Sequence, residues 1–150
     1  MSLVRQQEVH WRGPDGVHAT TAALDLSSEG TGSATCPRDL LLTSVAGCYA
    51  VALPTTLQRM RLDPRHVRVL ARGTLGSDPI RGVFETIEIM VWLEAEGNPE
   101  RLGRATRLAL GRACPVARML AESSALSVVL HRGDERIGPF SWTQCAHSDR

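Results

Sequence analysis

The chain has 150 residues, 43% of them apolar, and a formal net charge of +1 at pH 7. That length suits a single domain with a sizeable core, and the near-neutral charge leaves no electrostatic footprint for nucleic acid or an anionic membrane. All 17 basic residues are Arg, which excludes a Walker A phosphate loop, a Schiff-base lysine and a lysine general base.

Taken in order, the start MSLVRQQEVHW lacks the apolar run of a signal peptide, and no stretch of ~18 apolar residues follows. The expected compartment is the cytoplasm, with no membrane span. Cysteines there are expected as free thiols rather than static disulfides. Cys36, Cys48, Cys114 and Cys145 include no Cys-x-x-Cys pair, and His10, His18, His66, His131 and His147 follow no ligand spacing, so no metal is expected.

Residues 3–26 read as a hairpin turning at Gly13-Pro14-Asp15-Gly16, and Ser27 to Ala34 as a small-polar loop. Pro37 suits a first helical position, and Asp39 complements the dipole of the helix it opens. Leu41, Val45, Cys48, Ala52 and Thr56 then recur at three- and four-residue steps, predicting one buried apolar face with Cys48 on it. Pro54 predicts a kink or break, and Asp63-Pro64 a stop.

Val67, Val69 and Ala71 alternate with Arg68, Leu70 and Arg72 as a half-buried strand, and a loop begins at Gly76. Val83 to Ala95 is the clearest strand, with Val83, Ile87, Ile89, Val91 and Leu93 on one face and Phe84, Met90 and Trp92 on the other. Asn98-Pro99 starts a second helix carrying Leu102, Ala105 and Ala109. Arg101, Arg104 and Arg107 read as its solvated face. Cys114 is expected to cap a short helix from Pro115 to Ala121, where the dipole favours a thiolate. Leu126 to His131 is the last predicted strand. Strands segregated around helices, with no βαβ alternation, predict an α+β domain. The tail 132–150 shows no element, though Phe140 and Trp142 give it a means of docking.

Two motifs stand out. One is Pro37-Arg38-Asp39-Leu40-Leu41 leading to Ala46-Gly47-Cys48; the other is Cys114-Pro115-Val116, after a hairpin and a helix. Together they resemble the OsmC/Ohr family of osmotically induced and organic hydroperoxide resistance proteins, over roughly residues 9 to 131. The resemblance implies a single domain over residues 1–150, with antiparallel sheets wrapped around two central helices in an intertwined homodimer. It also implies a thiol-based peroxidase. Cys48 would attack an organic hydroperoxide and Cys114 would resolve the sulfenic acid as a disulfide. Arg12 would hold the thiolate, Asp39 would orient that Arg, and an external lipoyl-type dithiol would serve as reductant, with no bound cofactor. Family reductases commonly carry Glu directly after the proline, where this chain has Arg38, which leaves open whether Arg38 is itself the cation. The other reading is a non-catalytic homodimer of the same fold that binds an apolar small molecule, with Cys48 lining the pocket.

Overall fold

The computed structural model describes residues 4–11, 17–18, 36–77 and 82–142. Arg12, the Gly13–Gly16 turn, the Ser27–Ala34 loop and Cys145 lie outside the described residues. The elements run β1 (Val4–Trp11), β2 (Val17–His18), α1 (Pro37–Arg59), β3 (Pro64–Leu75), β4 (Phe84–Ala95) and α2 (Pro99–Leu108). A π-helical segment (Ala109–Ala113), α3 (Pro115–Leu120), β5 (Ala125–Arg132) and β6 (Glu135–Trp142) follow.

The strands form one sheet in the order β2-β1-β3-β4-β5-β6. This is the predicted α+β class, with one correction. β5 runs parallel to β4, whereas the other described pairings are antiparallel. The connection through α2 and α3 is long enough to return the chain in the same direction, so one βαβ unit sits inside the sheet. Ser124 closes this crossover, its hydroxyl donating to the Phe84 carbonyl at 2.7 Å.

Helices cover one face of the sheet. Val9, Val67, Val69, Ala71, Ile87, Ile89, Val91, Leu93, Leu126, Val128 and Leu130 point into the core from alternating strand positions. Phe84 is also buried, against expectation. The register slips between Thr74 and Leu75, so Leu75 pairs with Phe84 while Thr74 pairs with Thr86. This bulge turns Phe84 inward, where its ring lies 2.5 Å from the position a Cβ on Gly73 would take.

α1 is one continuous helix of 23 residues through Pro54, so the predicted break does not occur. Thr55 and Thr56 donate their hydroxyls to the carbonyls of Val51 and Ala52, at 2.8 and 2.7 Å, satisfying acceptors beside the proline. The buried stripe is Leu42, Val45, Ala46, Tyr49, Ala50, Leu53 and Leu57, rotated from the predicted face, so Leu41 is exposed and Cys48 half-buried. α1 has the length and apolar composition of a membrane-crossing helix, and half of its most apolar window is buried in the domain. Burial against the sheet and helices accounts for that composition.

The tail, in which no element was expected, contributes β6. It pairs with β5, and its Phe140 and Trp142 pack on α2 and the π-helical segment where glycines allow close approach. A Cβ on Gly103 would lie 3.0 Å from Phe140, and one on Gly111 would lie 2.6 Å from Trp142.

Candidate active site

Both thiols of interest ride on helices that begin with proline. Cys36 caps α1 through its backbone in an extended conformation, its carbonyl accepting from Asp39 N–H at 2.8 Å. Some three turns later, α1 presents Cys48 between Gly47 and the fully buried Tyr49. Nothing lies within 4 Å of where a Cβ on Gly47 would be, so this side of the helix opens outward.

Cys114 is reached through the π-helical segment, whose wider turn is closed by Cys114 N–H donating to the Ala109 carbonyl at 2.9 Å. It caps α3 as expected, its sulfur accepting from Ala117 N–H at 3.5 Å. The residue is fully buried.

The fold brings Cys48 and Cys114 close enough to influence each other, and both are free thiols. Burial pushes the Cys114 thiol from 9.0 up to about 12. The Ala117 and Val116 N–H groups pull it down, while the Cys48 thiol and its charge push it further up. The expectation that the helix start favours a Cys114 thiolate is therefore overturned. Desolvation disfavours the charged form by more than the local N–H groups favour it.

Tyr49 belongs to the same site and was missed in the sequence. Its hydroxyl donates to the Thr106 carbonyl at 2.9 Å, fastening α1 to α2 one turn before the π-helical segment. Burial raises its pKa well above 10.0, the Cys114 charge adds to the rise, and the Thr106 side chain opposes it. The signal was present, since this is the only Tyr in the chain and it directly follows Cys48.

The remaining predicted residues sit elsewhere. Asp39 pairs with Arg5 of β1, carboxylate to guanidinium, at 3.0 Å. Nine residues along a helix is two and a half turns, so Asp39 and Cys48 face opposite sides of α1. Asp39 looks toward β1, Cys48 toward α3. Arg38 lies against Gly82, its Nη2 atom 3.1 Å from where a Cβ there would be. Arg12, the predicted cation, lies outside the described residues. Leu41 and Val51 of α1 and Met119 of α3 are exposed by 38%, 51% and 65%. Among the described residues no cluster of His, Cys, Asp and Glu could hold a metal ion.

The OsmC-like protein family model matches residues 30–129, a span that holds both motifs and both thiols. The chain belongs to that family. Among solved structures, an OsmC-like protein from Mycoplasma pneumoniae superposes with a TM-score of 0.64 at 13% identity, covering 85% of this chain and 96% of that one. The organic hydroperoxide resistance protein OhrB of Bacillus subtilis gives 0.59 at 16% identity, covering 87% and 98%. An OsmC-like hydroperoxide resistance protein from Jannaschia sp. CCS1 gives 0.61 at 15% identity, covering 91% and 97%. These likenesses establish the shared fold. No curated protein sequence matches the chain.

Proposed function

We propose that the chain is a thiol-dependent peroxidase for organic hydroperoxides, working in the cytoplasm as a homodimer. The supporting observation is the approach of Cys48 and Cys114, from distant parts of the sequence, with Cys48 half-buried and Cys114 fully buried. Burial holds Cys114 protonated, which suits a thiol that resolves rather than attacks. Cys48 is the attacking thiolate, and Cys114 is the resolving thiol.

Cys48 sulfur attacks the distal oxygen of the hydroperoxide, the O–O bond breaks, and the alkoxide takes up a proton and leaves as an alcohol. The Cys48 sulfenic acid is then attacked by Cys114, water leaves, and a disulfide remains. An external dithiol, of lipoyl type by family resemblance, reduces that disulfide and is itself oxidised to a disulfide. Arg12 supplies the positive charge for the thiolate. Asp39 serves it indirectly, because the Arg5–Asp39 pair anchors β1, and Arg12 directly follows the end of that strand. Exposed Met119 favours alkyl substrates over hydrogen peroxide.

The test is cumene hydroperoxide with excess dithiol. The wild-type protein should consume peroxide, and Cys48→Ser should not. Cys114→Ser should instead hold one added oxygen, or a mixed disulfide, by intact mass. Equal peroxide loss in wild type and Cys48→Ser ends the peroxidase reading and leaves a homodimer that binds an apolar small molecule.

A further inference from the structure

The sheet face opposite the helices carries an ordered pattern that the thiol site does not use. One cross-strand row reads His10, Arg68, Trp92, His131, Arg136. The next reads Leu70, Met90, Val129, and the third reads Gln6, Arg72, Glu88, Ser127, Ser141. A half-buried apolar file thus runs across three strands between two polar rows. A cavity of about 530 Å³ lies over this file, lined by Met90, Val129, Ser127, Arg72, His131 and Arg136, with Glu88, Pro139 and Ser141 completing it. A second cavity of about 320 Å³ includes Leu70 at the far end of the same file.

The first row is already built. Arg68 stacks over Trp92 at 3.8 Å, and His131 stacks on Trp92 with centroids 5.3 Å apart. Glu8 bonds both Arg68 and His10, at 3.2 and 2.9 Å. By contrast, among the described residues Arg136 and Glu88 make no hydrogen bond or ion pair, and Arg72 has only a long contact to Gln6 at 3.4 Å. Two guanidiniums against one carboxylate leave a single net positive charge beside an apolar floor.

We propose that this trough binds an amphipathic monoanion, an aliphatic chain bearing a carboxylate. The head lies against Arg136, which can offer a carboxylate a paired set of N–H donors, while Arg72 flanks the Leu70 end of the file. The chain lies along Val129, Met90 and Leu70. A dianion would exceed the net charge available, and a cationic head would meet the two arginines.

Decanoate, titrated calorimetrically below its micelle concentration, should saturate at one site per chain, with decanol and decylamine much weaker. Arg136→Gln, a surface change, should weaken decanoate by about tenfold, the scale of one lost charged hydrogen bond, Arg72→Gln should weaken it less, and both should leave decanol unchanged. Glu88→Gln, which removes the competing carboxylate, should tighten it. Decanoate affinity unchanged in Arg136→Gln, decylamine binding as well as decanoate, or the absence of saturable binding would each overturn the proposal. So would self-association through this face, seen as a sedimentation change abolished by Arg136→Gln.

Discussion

A thiol at a helix start lies among N–H groups that lower its pKa, yet at Cys114 desolvation prevails and carries it to about 12. The consequence for stability has a definite sign. The folded pKa lies above the unfolded one, so the native thiol keeps a proton that the unfolded chain releases. The stabilisation is complete below pH 9.0 and drains away as pH rises toward about 12. The urea midpoint of the reduced protein should therefore fall across that window, and Cys114→Ala should flatten part of the decline. A residual decline in that variant belongs to Tyr49, whose hydroxyl also stays protonated well above 10.0. Tyr49→Phe removes a buried hydroxyl and leaves the Thr106 carbonyl without that donor. It should cost about 1–3 kcal/mol by denaturant titration, and it should slow disulfide formation more than Cys48 oxidation. The second effect distinguishes a role in holding Cys114 from general loosening.

At the level of elements, what aims Cys114 is the contact between the π-helical segment and β6. Gly111→Ala would drive a methyl group into the Trp142 ring, where there is room for neither. The expected loss is about 1–3 kcal/mol, and Trp142→Leu should recover part of it in a double-mutant cycle. This contact also marks where sequence reading stopped. β4 was legible because Ile87, Ile89, Val91, Leu93 and Ala95 alternate along it, and the α2 and α3 starts were legible because Asn98-Pro99 and Cys114-Pro115 obey capping chemistry. β6 was not, since Gly138-Pro139 interrupts ERIGPFSW and its half-buried Ile137, Phe140 and Trp142 follow no strict alternation. The parallel return of β5 was hidden for another reason, because strand direction follows from the path of the connection, which alternation does not encode. In the site, the two thiols were readable from their motifs. Arg5 as the partner of Asp39 was not, because an ion pair between β1 and α1 depends on the register of one against the other.

For the whole molecule, the open question is what covers the outer side of α1. Leu41, Val51 and the bare backbone at Gly47 share that side with Cys48, and each element that covers the rest of α1 is already accounted for within the chain. In the proposed homodimer a second copy packs there, so the reacting thiol would lie at the boundary between protomers. Two substitutions separate the chain's own stability from association. Val51→Asp changes an exposed residue and should leave the isolated fold intact, yet it buries a charge if a partner covers it. Sedimentation should then show the monomer. Gly47→Ala should stabilise the lone helix by about 0.5–1 kcal/mol, because it meets no neighbour within 4 Å. If a second copy's backbone lies against that glycine, the same methyl weakens the dimer. A variant that melts later as monomer while dissociating at higher protein concentration is the combination that only an interface on this face produces. Val51→Asp sedimenting as the wild type does would remove the interface from α1 altogether.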